Sequence, residues 1–359
     1  MPFLSGIPPF KPENPVFAIV LGNTLLSTVP GISGAGMSPE KTVLTPILDS
    51  ELITHGTIRS TKMKPNTPTG CPTPAVITRA MMVLLGMEPL FINAGLTTQP
   101  VIPCLDVYGE PGKDPRDGDA VPRARELYAR GEQVGRFLSQ SGDLLLLGEC
   151  VPGGTTTALC VLRGLGIPAS VSSSFVNNPV ALKEAICARV QERIRADGAK
   201  GIRADGAKGI RAGEAKGIQA GNTKDPLDII RIGGDPMLAV AAGIAATFKG
   251  DTLLAGGTQM LAIAAVLREL GKKVPSVVTT VYVRDDPSAG FTATADMIGV
   301  HVYYVDPDFA TMGHRGLARY CIGEVKEGIG AGGAIFLARI MGKSEDEIRE
   351  AILTTVSGY

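Results

Sequence analysis

The feature that most constrains the fold is residues 142–166, which read as strand, loop and helix in immediate succession. Leu144 to Leu147 is an apolar run without alternation, the pattern of a strand covered on both faces in a parallel sheet. Gly148, Gly153 and Gly154 give the backbone room to turn, and Pro152 stiffens the loop. Thr155 or its neighbour then caps a helix whose apolar face is Ala158, Leu159, Val161, Leu162 and Leu165, with Gly164 and Gly166 as stops. A glycine loop between a buried strand and a helix start leaves unpaired N–H groups and the positive helix end facing outward, which makes an anion site. The hydroxyls of Thr155, Thr156 and Thr157 add donors, and Glu149 sets a carboxylate at the strand's C-terminal end, where open α/β sheets bind ligands. The same residues also serve as an ordinary tight turn with a hydroxyl cap. The loop is neither a P-loop, lacking Gly-Lys-Ser/Thr, nor a GxGxxG fingerprint.

That rhythm recurs along the chain. Residues 16–21 read as a first strand, followed by the loop 30–36, which either approaches a ligand or only connects, and a helix start at Ser38-Pro39-Glu40. A turn-rich linker, 65–74, leads into an amphipathic helix over 75–85 and a strand over 90–93 that ends at Gly95. The polar loop 109–118 presents Lys113 and Arg116 to an anion or to solvent, and 123–139 is helical by its period. Residues 227–232 read as a strand, Gly233-Gly234 as its turn and Asp235-Pro236 as the N-cap and first position of a buried helix over 237–248. Residues 252–255, Gly256-Gly257 and 258–270 repeat the pattern, and further strands are expected at 276–283 and 300–305. Strand, glycine loop and helix thus recur three times, which predicts an α/β, Rossmann-like, doubly wound and mostly parallel sheet with its glycine loops gathered on one edge.

From Ile194 an octapeptide, Ile-Arg-Ala-Asp-Gly-Ala-Lys-Gly, occurs twice unchanged and then decays through Ile210 and Ile218. A period of eight matches no heptad or common solenoid repeat, and glycine at this density opposes a stable helix. Residues 194–225 therefore read as a disordered or frayed surface insertion dividing one unit made of 1–193 and 226–359, with a basic binding arm as the other reading.

Composition excludes several classes. A formal net charge of zero and the absence of Trp speak against a nucleic-acid surface or a polybasic membrane helix. The apolar helix at 237–248 is too short to span a bilayer, and residues 1–15 show no secretory leader. Six Cys without a CxxC pair indicate neither zinc nor a disulfide framework and fit a reducing cytoplasm. His55, His301 and His314 stand apart and read as structural or solvated; no metal cluster is expected.

A second carboxylate lies near the C-terminus. Glu327 precedes Gly328, Gly330, Gly332 and Gly333 and an apolar helix over 334–340. Held beside bare backbone, it is either a partly desolvated general base or a surface charge at a helix end.

Four segments occur in an order that resembles nicotinate-nucleotide:dimethylbenzimidazole phosphoribosyltransferases of cobalamin synthesis. They are Gly148-Glu-Cys-Val-Pro-Gly-Gly-Thr-Thr-Thr157, Gly233-Gly-Asp-Pro-Met-Leu-Ala-Val-Ala-Ala-Gly243, Leu254-Ala-Gly-Gly257 and Glu327-Gly-Ile-Gly-Ala-Gly-Gly333. With Pro30-Gly-Ile-Ser-Gly-Ala-Gly36 and Gly109-Glu-Pro-Gly-Lys-Asp114, the chain is most similar to the archaeal and cyanobacterial branch of that family, over nearly everything outside the repeats. The resemblance implies a parallel α/β domain with a smaller helical domain formed from terminal segments, in a homodimer without a cofactor. It implies transfer of 5-phosphoribosyl from nicotinate mononucleotide to a benzimidazole-type or purine base, giving an α-ribazole phosphate. Glu327 would be the base and Glu149 would position the ribose or acceptor. Gly148, Gly153, Gly154, Thr155, Thr156, Thr157, Gly233, Gly234, Gly256, Gly328 and Gly330 would line the nucleotide pocket. The chain departs from the family pattern at Gly154 and Ala255, where characterised enzymes carry Asn and Asp. Alternatives are a non-catalytic nucleotide-binding or regulatory protein of cobamide metabolism, a transferase with another acceptor, and a hydrolase of the same nucleotide.

Overall fold

Residues 144–147 form the buried strand that their unbroken apolarity predicts. In a computed structural model of the chain, residues 2–36, 38–206 and 225–359 are described. The strands are β1 (Pro15–Gly22), β2 (Leu90–Gly95), β3 (Cys104–Asp106), β4 (Leu144–Cys150), β5 (Asp251–Ala255), β6 (Ser276–Thr280) and β7 (Val302–Val305). They make one sheet in the order β3-β2-β1-β4-β5-β6-β7. Every pairing is parallel. The order reverses between β1 and β4, whose register sets Ile19 beside Gly148 and Val20 beside Glu149. A crevice beyond the C-terminal ends of these two strands is therefore the expected ligand site.

Helices α1 (Thr45–His55) and α2 (Ala75–Leu85) precede β2, and α3 (Ala124–Leu138) precedes β4. After β4 come α4 (Gly154–Gly164), α5 (Val180–Gly206), α6 (Pro226–Gly233) and α7 (Pro236–Thr247). Helix α8 (Thr258–Glu269) joins β5 to β6, while α9 (Val281–Arg284) and α10 (Phe291–Ile298) join β6 to β7. The chain ends with α11 (Ala318–Cys321), α12 (Ala331–Ile340) and α13 (Glu345–Gly358). Alternation along the strands divides the core in two. Ala18, Val20, Leu145 and Leu147 pack with α3, α4, α7 and α8. Phe17, Ile19, Leu144 and Leu146 pack with α1, α2, α12 and α13. The sheet is thus covered on both faces, as a doubly wound fold requires.

Some elements differ from expectation. Residues 227–232 are helix α6, not a strand. Asp225 caps it by accepting from Leu227 N at 2.8 Å, and Pro226 occupies the first turn. Leu227, Ile229 and Ile230 turn inward while Arg231 pairs with Asp119. A short apolar run bounded by turn signals fits either element, and here the cap decided. The strand–glycine loop–helix unit therefore stands at β4–α4 and β5–α8 but not at 227–248. The strand expected over 276–283 stops at Thr280, where α9 begins. Helix α5 continues to Gly206, into the octapeptides, against the local composition. Buried Ile194 and the Asp197–Arg231 ion pair at 2.8 Å anchor this extension to the body. Residues 207–224 of the repeats lie outside the described residues.

Candidate active site

Beyond β1 and β4 lies a cleft holding about 950 Å³ of empty space, its mouth included. Its walls are the loops 32–36, 149–155, 172–174 and 325–329, with α1 and the linker at 65–74 closing one side. The loops are tied together: Gly34 N donates to Ser174 Oγ at 2.9 Å, and Val325 N to Ser174 O at 3.1 Å.

Glu149 reaches the cleft from the last turn of β4 and is almost wholly buried. Its Oε2 accepts from Val151 N at 3.0 Å and from Gln259 Nε2 at 3.1 Å. Burial, reinforced by the charges of Asp235 and Glu327, raises its pKa to about 8. Glu327 enters from the opposite loop, where its Oε1 accepts from Gly328 N at 3.2 Å and Gly332 N at 3.1 Å. Its Oε2 is buried without a hydrogen-bond partner among the described residues. Burial raises this pKa to about 7, although the backbone N–H groups, Gly332 foremost, pull the other way. Two carboxyls thus face one cleft with pKa values pushed to neutrality and above, the arrangement from which acid and base roles are drawn.

The turn that presents Glu327 is strained: Val325, Lys326 and Ile329 adopt φ of 66°, 69° and 47°. Side chains rarely hold such angles unless the surroundings impose them, and they concentrate at functional sites. Thr280 Oγ1 clamps the turn by donating to Lys326 O at 2.8 Å. Glycine is required at 332, because a Cβ there would lie 2.6 Å from Glu327 Oε2 and 3.1 Å from Thr280 N. Gly332→Ala is accordingly expected to expel the carboxylate toward solvent and return its pKa from about 7 toward the ordinary carboxylate range. Carboxyl-carbon NMR would measure this; an unchanged titration would refute the packing argument.

Two buried lysines, not anticipated from sequence, lie at the cleft: Lys326 lines it, and Lys183 touches the lining residues Ser172 and Thr155 from behind. Lys326 Nζ donates to Ser173 O at 2.7 Å and Phe175 O at 3.1 Å, and lies 3.3 Å from Asp286 Oδ2. Lys183, on α5, donates to Ser172 O at 2.6 Å and to Thr155 Oγ1 at 3.0 Å, behind the start of α4. Burial, then the charge of Lys326, lowers the Lys183 pKa to about 7. Burial also lowers that of Lys326. Asp286 is held below the usual range because Ser288, Lys326 and Ser172 outweigh its desolvation. Among the described residues Asp286 pairs directly with Lys326 alone, while Lys183 bonds only Ser172 O and Thr155 Oγ1, beside the N-terminus of an eleven-residue helix. An anion is the natural complement. Neither lysine belongs to a glycine motif; the one available signal was Lys326 adjoining Glu327.

These shifts make stability pH-dependent with a definite sign. Glu149 (about 8), Glu327 (about 7), Asp49 (about 7) and Asp235 (about 6) bind protons in the folded chain that the unfolded chain has released. Their stabilising contribution is present below the unfolded pKa and is lost as pH rises through the folded values. Lys183, depressed to about 7, acts oppositely above neutrality, where the unfolded chain holds the extra proton. The unliganded protein is expected to lose thermal stability from roughly pH 5 to 8, by on the order of several degrees, and to recover above. A midpoint that rises steadily through pH 5–8 would contradict these shifts.

Of the residues expected at the site, Glu149, Gly153, Gly154, Thr155, Glu327 and Gly328 line the cleft. Gly256 lies at its floor, where an added Cβ would sit 3.7 Å from Glu149 Oε1. Gly148 and Gly330 pack against each other under the cleft. Thr156 and Thr157 point into the core, with Thr157 Oγ1 donating to Asp235 Oδ2 at 2.5 Å. Gly233 packs on Val190 and Cys160 and Gly234 ends α6, both away from the cleft lining. Arg116 is engaged by Asp114. Among the described residues no cluster of potential metal ligands occurs, and no helix is long and apolar enough to cross a membrane.

No family model matches the chain. Solved structures share its fold, among them the following two. Nicotinate-nucleotide-dimethylbenzimidazole phosphoribosyltransferase from Thermus thermophilus has a TM-score of 0.61 at 13% identity, over 95% of this chain and 84% of that one. A structure described as CobT from the same organism has a TM-score of 0.59 at 12% identity, over 94% and 84%. At such identity the likeness establishes the fold alone. Sequence relatives lie much nearer. The UPF0284 protein of Methanosarcina acetivorans is 39% identical over 95% of this chain and 94% of its own length. That of Thermococcus gammatolerans is 40% identical over 94% and 96%, and that of Halobacterium salinarum 40% over 98% of each. These end-to-end matches to archaeal proteins, on the fold of the phosphoribosyltransferase, agree with the resemblance read from the glycine motifs, and the chain belongs to the UPF0284 family.

Proposed function

We propose that the protein transfers the 5-phosphoribosyl group of nicotinate mononucleotide to a ring nitrogen of an aromatic base of the benzimidazole or purine class, giving an α-linked riboside phosphate and nicotinate. The observation that carries this reading is Glu327, which lines a cleft that also holds Glu149 and whose buried Oε2 has no hydrogen-bond partner among the described residues.

The C1′–N bond to the pyridinium breaks with its electron pair returning to the ring nitrogen, so nicotinate leaves without protonation. The imine-type ring nitrogen of the acceptor attacks C1′ from the opposite face, inverting the β-linkage to α, and the proton on the other nitrogen of that ring passes to Glu327. A base with pKa near 7 is matched to that task at neutral pH. Glu149, pushed to about 8, remains largely protonated and can donate to a ribose hydroxyl or hold the acceptor. The residual negative charge of the carboxyls favours the oxocarbenium character developing at C1′. Thr155 and the N-terminus of α4 form the phosphate site, with Lys326 in the cleft wall and Lys183, bonded to Thr155 Oγ1, supplying positive charge behind it.

The test is a product assay with nicotinate mononucleotide and a panel of dimethylbenzimidazole, benzimidazole and adenine. Nicotinate release with formation of an α-riboside phosphate is expected. Tight nucleotide binding without release for any base would overturn the transferase reading.

A further inference from the structure

The roles given to Glu327, Glu149 and the lysines leave one side of the cleft unused, where α1 faces the segment at 65–74. Its lining there is polar. Asp49, 3% exposed, receives Thr73 Oγ1 at 2.7 Å on Oδ1 and only the weak Cys150 thiol, at 3.8 Å, on Oδ2. Protonated or ionised, the carboxyl keeps oxygen lone pairs that these two bonds do not fill, so acceptor capacity remains. One helical turn earlier, and hence on the same face of α1, Thr45 is 8% exposed and its Oγ1 is buried without a partner among the described residues. Both residues line the cleft. This wall adjoins the base: Pro74, at the end of the segment, packs on Gly328, where an added Cβ would lie 3.2 Å from its Cγ.

An enclosed hydroxyl with no partner among the described residues and a buried carboxyl with spare acceptor capacity are costly in an empty protein, and an apolar ligand edge would leave both unsatisfied. A ligand edge carrying a hydrogen-bond donor beside an acceptor would satisfy both. We propose that Thr45 and Asp49 form the specificity wall of the acceptor subsite and select an amino-substituted nitrogen heterocycle, of the adenine type, over a base edged with methyl groups. Asp49 accepts from the exocyclic amine, and the Thr45 hydroxyl donates to the neighbouring ring nitrogen. The reacting nitrogen, on the other side of the ring system, is left toward Glu327. This assignment rests on the transferase reading for its chemistry but not for its binding test.

The experiment is calorimetric binding of adenine, benzimidazole and 5,6-dimethylbenzimidazole to the full chain, with nicotinate release measured in parallel. Wild type is expected to bind adenine at least roughly tenfold more tightly than dimethylbenzimidazole. Thr45→Val, which keeps the side-chain shape and breaks no protein hydrogen bond, should remove about tenfold of adenine affinity and leave dimethylbenzimidazole unchanged or improved. Asp49→Leu should do the same, with a thermal melt confirming that it folds. Tighter binding of dimethylbenzimidazole by wild type, no binding of any base, or equal loss for all bases in Thr45→Val would overturn the assignment. Selective, Thr45-dependent adenine binding without nicotinate release would uphold the wall and sink the transferase reading instead.

Discussion

Replacing Glu327 with Gln is expected to lower kcat by about 10³-fold while changing the affinity for nicotinate mononucleotide by less than about threefold. The substitution keeps the size of the side chain, and its carbonyl oxygen can still accept from Gly328 N and Gly332 N, as Oε1 does now. What disappears is the proposed proton acceptor at Oε2, which has no hydrogen-bond partner among the described residues. In the proposed transfer that proton leaves the acceptor base only as the new C–N bond forms, so the loss should fall on the transition state and spare ground-state binding. Steady-state rates together with calorimetric binding decide the matter. A variant that retains a tenth of the turnover would remove Glu327 from the role of base, and equal losses in kcat and affinity would make it a structural residue.

The second large effect concerns the lysines. Lys183→Met should weaken nicotinate mononucleotide by about 10–100-fold, the range of a charge-assisted hydrogen bond, while the corresponding riboside without phosphate binds as before. The variant should fold at least as well as wild type, since Lys183 is buried, sits near Lys326 and has a pKa depressed to about 7. Removing a desolvated charge whose partners are a carbonyl and a hydroxyl relieves a penalty of the unliganded state. Nucleotide affinity in wild type should also decline with rising pH as the lysine deprotonates, with the decline shifted above 7 because bound phosphate stabilises the ammonium form. Equal weakening of nucleotide and riboside would show that Lys183 acts through the fold and not on the phosphate.

Much of the architecture was legible without coordinates. The unbroken Leu144–Leu147 run could only be satisfied by covering both faces, and β4 is buried along its whole length. Gly153 was expected to permit a turn and has φ of 78° at the start of α4. Asp235-Pro236 was read as a cap and first turn, and Asp235 does accept from Leu238 N. The misreading of 227–232 has a specific origin: six apolar-rich residues satisfy both periods, and the deciding cap residue, Asp225, was assigned to the insertion. The short β3 escaped notice because three residues carry no periodicity. Helix α5 outran its composition because Ile194 and Asp197 hold it to the body, a contribution invisible to local propensity.

For the site, sequence identified the carboxylates, because each adjoins glycines that any reader of motifs would examine. It could not bring Glu149 and Glu327 into one cleft, nor assign them unequal pKa values, since desolvation and mutual repulsion depend on distances between segments far apart in the chain. Lys183, Lys326, Asp49 and Thr45 look like ordinary surface residues in the sequence, and their burial is a product of packing alone. Local chemistry, in short-range apolar runs, caps and glycines, determined which segments become strands, loops and helices, because those choices are settled within a few residues. The order of the sheet, the meeting of the two carboxylates, and the enclosure of charges and hydroxyls that water would otherwise solvate were decided only by the tertiary structure. Electrostatic strength is set by what surrounds a group in space.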